Sequence, residues 1–184
     1  MGRMLWLGAL FTAVCIAAQG DPAYFSDDGF RIADLRAPVP DQVPGGTTVD
    51  TVKAKILIDR QSALPIDVLP QPPQPAGRPA DSLWLPPKRF NIPGSVWLPN
   101  VGFGQLSDAL DHYFREALQR TTAGDKSRKI LIYCLADCWM SWNAAKRAAD
   151  YGYTSVYWYP DGTTGWESAG LPVEQSHPLS LSKP

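Results

Sequence analysis

The chain has 184 residues, 45% of them apolar, with 7 Trp, 7 Tyr and 6 Phe: enough for one domain with a core, and too short for two. A formal net charge of −1 excludes a phosphate-neutralising surface as its main business, and the aromatic content excludes a disordered chain. Ten of its 18 prolines fall between Pro65 and Pro99, so that stretch is neither continuous helix nor central strand.

Met1 to Met4 carries one cation, Arg3, and Leu5 to Ala18 is a 14-residue apolar run. Ala18-Gln19-Gly20 then places small residues three and one before Asp21. This is the layout of a secretory signal peptide, with cleavage expected after Gly20. As helix the run reaches roughly 21 Å, short of a bilayer core of roughly 30 Å, which argues against a retained span. A lipoprotein anchored at Cys15 is the weaker reading, because Thr12-Ala13-Val14 is a poor acylation context. No other run is long enough to cross a membrane. The mature chain is expected in the periplasm with 16 basic and 18 acidic residues, a net of −2. Only Cys134 and Cys138 remain, in a compartment where thiols tend to be oxidised.

Residues 21–46 read as an extended, Pro-rich arm laid on the domain, with Tyr24, Phe25 and Phe30, ending in the Pro44-Gly45-Gly46 break. The domain itself is expected over 47–175, followed by a loose tail at 176–184. Thr47 to Gln61 places Val52, Ile56 and Leu57 at helical spacing behind Thr48 or Asp50 as N-cap; a strand at Ala54 to Asp59 is the competing reading. Ala63 to Leu69 is a short buried strand, and Pro70 to Lys88 a surface excursion. Ile92-Pro93-Gly94-Ser95 predicts a turn, with a short strand through Val96-Trp97-Leu98. Leu106 to Arg120 predicts a helix with Leu106, Leu110, Phe114, Ala117 and Leu118 in one stripe, and Asp108, Asp111, His112, Arg115 and Glu116 opposite. Lys129 to Tyr133 reads as a central parallel strand buried on both faces. Ser141 to Tyr151 reads as a helix stopped by Gly152, with Lys146 and Arg147 a solvated end suited to the dipole. Val156 to Tyr159 is a further strand. The alternation argues an α/β fold, a small parallel sheet flanked by helices.

The informative stretch follows the central strand. That strand delivers Cys134 to the C-terminal end of the sheet, where α/β folds place their sites, and a tight loop and a helix follow. Inward-pointing loop amides and the helix N-terminus favour a thiolate at Cys134, which requires its sulfur to protrude into a ring of amides. The bland reading is an inert buried cysteine. Cys138 lies close enough in sequence for the two Cα atoms to fall within roughly 4.4–6.8 Å, the disulfide range. His112, on a polar helix face, and His177, in the tail, support neither a Cys-His base nor a zinc site; no metal or cofactor is expected.

Ile66-Asp67-Val68, Ile92-Pro93-Gly94-Ser95, Ile132-Tyr133-Cys134, Gly152-Tyr153 with Val156-Tyr157, and Asp161-Gly162 through Trp166 to Gly170-Leu171-Pro172 occur in an order that resembles a single rhodanese-like domain, from about Thr47 to Val173. More narrowly, Cys134 to Arg147 (Cys-x-x-x-Cys-Trp-Met-Ser-Trp-Asn-Ala-Ala-Lys-Arg) is similar to the exported CXXCW-motif proteins associated with pyrroloquinoline-quinone-dependent catabolism. Arg36-Ala37-Pro38-Val39-Pro40 and Trp97-Leu98-Pro99-Asn100 also fit that group, although three residues rather than two separate the cysteines here. The resemblance implies a persulfide carrier at Cys134, and a quinoprotein dehydrogenase system or a periplasmic thiol protein as partner. Nucleic acid is not implied.

The loop departs from the family where an anion would bind. Asp137 and Trp139 stand three and five after Cys134, where a Gly and an Arg are usual, so a cationic bidentate partner for thiosulfate is missing. Leu135, Ala136, Asp137, Trp139, Met140 and Ser141 are the candidate loop and substrate residues. Trp139 is a possible cover for the cysteine or platform for an aromatic substrate. Asp67 either caps a neighbouring loop or assists the site. Three functions stay open: sulfur transfer or thiol–disulfide exchange with Cys134 as nucleophile and Cys138 as resolver, a catalytically silent binding module accessory to a quinoprotein dehydrogenase, or a pair that only staples the loop.

Overall fold

The computed structural model describes residues 22–77 and 83–181, so the signal-peptide reading of residues 1–20 lies outside the described residues. Among the described residues a short 3-10 helix (Pro22–Tyr24) precedes seven strands and four α-helices, in the order β1 (Gly46–Thr48), α1 (Thr51–Asp59), β2 (Leu64–Asp67), β3 (Arg89–Asn91), β4 (Val96–Trp97), α2 (Asp108–Thr121), β5 (Ile130–Tyr133), α3 (Trp139–Asp150), β6 (Val156–Tyr159), α4 (Gly162–Ser168) and β7 (Glu174–Ser176). Five strands pair in the order β1-β6-β5-β2-β4, all parallel, and β3 pairs antiparallel with β7. The expected α/β architecture with its central β5 is present. None of the described helices is long and apolar enough to cross a membrane.

Each residue of β5 is fully buried because helices cover both faces, and successive side chains point to opposite sides. Ile130 and Ile132 pack with Trp158, Phe114, Ala144 and Ala148 on the α2/α3 side. Leu131 and Tyr133 pack with Leu57, Tyr159 and Trp166 on the α1/α4 side. The register sets Asp67, Tyr133 and Tyr159 level, and Trp97 beside Asp67, so the sheet has one even C-terminal edge. The Pro93-Gly94 turn closes through Ser95 N–H on the Ile92 carbonyl (3.1 Å), with Gly94 at φ +76°.

Four sequence expectations are corrected. Thr47 and Thr48 belong to β1, and α1 begins only after Asp50, whose carboxylate accepts from Lys53 N–H at 2.8 Å. Its buried face is Ala54 and Leu57; Val52 and Ile56 are exposed, because the sheet lies to the side that the two smaller-spaced residues present. Arg147 is not a solvated helix end: it is 6% exposed and donates to the carbonyls of Val101, Phe103 and Gly104 at 2.8–3.0 Å. Lys146 lies over the Phe30 ring at 4.1 Å and pairs with Asp150. The C-terminal segment is not loose through Leu181. Leu179 N–H bonds the Trp97 carbonyl, Tyr113 donates to the Leu179 carbonyl, and Leu179 and Leu181 pack on the core.

The arm does lie on the domain, against α3. Arg31 N–H donates to Asn143 Oδ1, and Asn143 Nδ2 donates back to the Arg31 carbonyl, both at 2.9 Å. The indoles of Trp139 and Trp142 donate to the carbonyls of Pro38 (3.1 Å) and Gln42 (2.8 Å). Phe30 and Val43 are buried, each contributing about 1.5–3 kcal/mol relative to exposure.

Candidate functional site

Cys134 follows β5 at the even edge of the sheet, and the chain turns at once into α3. Leu135 bridges to Gly162, Thr163 N–H donates to the Cys134 carbonyl at 3.0 Å, and Ala136 N–H donates to Thr164 Oγ1 at 3.3 Å. Gly162 sits at φ +53°, and a Cβ on it would stand 2.3 Å from the Cys134 carbonyl oxygen. Asp137, exposed at the loop tip, takes φ +52°, a left-handed conformation that Asp tolerates better than most L residues.

Cys134 and Cys138 are joined in a disulfide with their Cα atoms 6.5 Å apart. Neither residue reaches solvent to more than 1%. The expectation that the sulfur of Cys134 protrudes into inward-aimed amides is not met. Its sulfur lies against carbonyl oxygens, those of Leu135 at 3.7 Å and Cys138 at 3.8 Å. The amide of Trp139, at the start of α3, donates to the Leu35 carbonyl of the arm at 3.0 Å. The arm has taken a donor that an anion would need. Carbonyl oxygens around a sulfur disfavour its thiolate, the reverse of what a nucleophilic cysteine requires.

The other loop candidates are likewise turned inward. Trp139 is 8% exposed, set between Phe25 (centroids 5.6 Å apart) and Trp142 (5.3 Å), with the Arg31 guanidinium 4.9 Å from its ring. It covers the first turn of α3 and offers no open face for stacking. Ser141, fully buried, donates to the Cys138 carbonyl and accepts from the Trp158 indole, each at 3.0 Å. Met140 is buried in the α2/α3-side core, and Leu135 and Ala136 are half-buried. The five principal cavities among the described residues are lined by none of residues 134–141.

Asp67 stands apart, fully buried at the end of β2. One oxygen accepts from Leu69 N–H at 2.9 Å, so it does cap the loop after its strand; the other accepts from Arg89 Nε at 2.6 Å. Burial pushes its carboxyl above the usual carboxylate range, outweighing the attraction of Arg89. Arg89 Nη2 also reaches Thr163 Oγ1 (3.2 Å), and Thr163 donates to the Cys134 carbonyl. Asp67 therefore communicates with the cysteine loop through two residues that sequence reading passed over. Arg89 closes a Pro-rich connection and lies 22 positions from Asp67, and Thr163 opens a helix not read at all. No local pattern marks either one.

The rhodanese-like domain model matches residues 53–169, more than half the chain. Among solved structures, a thiosulfate sulfurtransferase from Pseudomonas aeruginosa is similar at 18% identity, over 74% of this chain and 22% of that one, with a TM-score of 0.49. The Alr3790 protein from Anabaena sp. is similar at 16% identity, over 68% and 79%, with a TM-score of 0.44. A polysulfide-sulfur transferase homodimer from Wolinella succinogenes is similar at 16% identity, over 75% and 82%, with a TM-score of 0.43. No curated protein matches the chain. The match over 53–169 settles the family: this chain belongs to the rhodanese-like domain proteins.

Proposed function

We propose that this chain is an exported rhodanese-like binding module, silent in sulfur transfer, whose oxidised Cys134–Cys138 pair fixes the loop that active relatives use for chemistry. The observation that carries the reading is the surroundings of the pair: the two sulfurs are bonded to each other, both cysteines are buried, and the Cys134 sulfur faces carbonyls under an arm that holds the Trp139 amide. Asp137 and Trp139, standing for Gly and Arg, argue the same way, since neither offers a cation to a sulfur-donor dianion. Export to the periplasm rests on residues 1–20. A role accessory to quinoprotein dehydrogenases in pyrroloquinoline-quinone-dependent catabolism rests on the likeness of Cys134 to Arg147 to the CXXCW-motif group.

Mass spectrometry of the protein taken from its own compartment, with thiols trapped at lysis, tests this directly. The expected species begins at Asp21, carries the disulfide and holds no persulfide. Incubation of the reduced protein with thiosulfate should add no sulfur to Cys134; a 32-Da adduct there, about the mass of one sulfur atom, would overturn the silent reading.

One observation favours a second reading: a sulfur–sulfur bond formed at the family's nucleophile position. A dithiol couple there would have Cys134 thiolate attack a partner disulfide and release one partner thiolate. Cys138 thiolate would then attack the Cys134 sulfur and release the second, so two electrons pass to the partner and the pair closes. With glutathione disulfide as probe, this reading requires Cys138→Ser to hold glutathione on Cys134 and Cys134→Ser to hold none. A staple closing so short a loop contributes roughly 2 kcal/mol, so reduction should lower Tm by about 4–8 °C while glutathione is left unprocessed.

A further inference from the structure

On the same edge of the sheet, beyond Arg89, lies a cavity of about 280 Å³ that the cysteine chemistry does not involve. We propose that it binds a small carboxylate carrying an apolar body, such as a short aliphatic or monocyclic aromatic acid. Its lining is apolar for the most part, with Pro86, Pro87, Pro178 and the indole of Trp97, the one buried member of the set. Lys88 and Arg89 add two cations and His177 an imidazole, and among the described residues no acidic side chain lines it. In a chain with more carboxylates than cations, a cavity whose charged lining is entirely basic selects an anion. A mostly apolar concavity with a few convergent polar groups is the usual form of a small-molecule site, and this one lies just below the common size range of roughly 300–1,000 Å³, which suits a small ligand.

The site is built before any ligand arrives. Trp97 is fixed from three directions: its indole donates to the Leu69 carbonyl at 2.7 Å, its carbonyl accepts from Leu179 N–H at 2.9 Å, and it bridges to Pro178. Arg89 is held opposite Ser176 in the β3–β7 ribbon, with Nε on Asp67 and Nη2 on Thr163. The proline rings have little conformational freedom to lose. Preorganisation of this kind removes the ordering cost that weakens small ligands. Arg89 is partly neutralised by Asp67 behind it, so the exposed Lys88 supplies a second cation for the carboxylate. The inference does not depend on whether the cysteines react, because none of the lining residues belongs to their loop.

The test is an NMR titration of the oxidised mature chain with hexanoate and with benzoate, using hexanol and benzyl alcohol as neutral counterparts. The expected result is saturable shifts at the Trp97 indole and at the Arg89 and Ser176 amides, with each acid bound at least tenfold tighter than its alcohol. Two substitutions at exposed positions change the charge without touching the core. Lys88→Glu should weaken the acids at least tenfold and leave the alcohols unchanged, and Leu85→Asp, which also removes part of the apolar wall, should weaken the acids at least tenfold more than the alcohols. Absence of saturable shifts at these residues, equal affinity for acid and alcohol, or wild-type affinity in both variants would overturn the proposal. Since the titration leaves the disulfide closed, its failure says nothing against the silent-loop reading, which thiol trapping decides.

Discussion

The cysteine loop and the Arg89–Trp97 cavity share one edge of one sheet and differ in what lies over them. At the loop, polar groups turn inward: the Trp139 amide to the arm, Ser141 to Cys138 and Trp158, Ala136 to Thr164. At the cavity, the indole of Trp97 and the guanidinium of Arg89 are fixed from behind while their neighbours open a concavity outward. The comparison teaches that a strand-to-helix cysteine marks where chemistry can be placed, whereas access is decided by chain that returns from elsewhere. Here residues 35–42 of the arm close the one place, and the Pro86-Pro87 and His177-Pro178 segments frame the other.

The comparison breaks most readily at Asn143. Its amide holds the Arg31 amide and carbonyl and the Gly102 carbonyl, so Asn143→Ala leaves three backbone groups, two half-buried and one buried, without that partner. Urea denaturation should show a loss of about 3 kcal/mol, and alkylation of reduced Cys134 should quicken as the arm loosens. Unchanged labelling would mean that the arm is not what closes the loop. Gly162→Ala comes next, at about 2 kcal/mol, because a Cβ at φ +53° meets the Cys134 carbonyl at 2.3 Å; a wild-type unfolding midpoint would contradict that packing.

Asp67 gives a pH signature of opposite sign to most carboxylates. Its folded pKa is raised, so the folded state holds more protons than the unfolded one between the ordinary value of 3.8 and the raised one. Its contribution to stability is therefore present below that window and is lost as pH rises through it. Asp67→Asn, which keeps an acceptor for Leu69, should remove this slope from a plot of unfolding free energy against pH; a parallel pair of curves would argue against it. The smallest effect is expected at Asp137. Gly there should change stability by within about 0.5 kcal/mol, relief of the left-handed strain offsetting added unfolded-state entropy. A larger loss would give the Asp137 carboxylate a role that its exposed position does not suggest.

The parts of the fold governed by local periodicity were legible in advance. Central β5 showed as an unbroken apolar run, α2 as a stripe of Phe114, Ala117 and Leu118, and the Ile92–Ser95 turn by its Pro-Gly pair. The position of Cys134 directly after β5, with a helix soon following, was legible from the apolar run that precedes it. The burial of α1 was misread because Val52 and Ile56 are as apolar as Leu57, and only the position of the sheet selects among them. Arg147 was misread because the carbonyls that enclose it come from 101–104, a loop with no charge pattern to announce it.

Sequence alone therefore determined the family, the parallel sheet and the address of the two sulfurs at the end of β5, since each follows from contacts between near neighbours or from residue types in fixed order. Tertiary structure alone decided that those sulfurs are covered, that Trp139 is spent on the arm, and that Asp67 pairs with Arg89. Each of these depends on backbone carbonyls or side chains brought from 22 to 104 positions away, and a carbonyl looks the same in every residue.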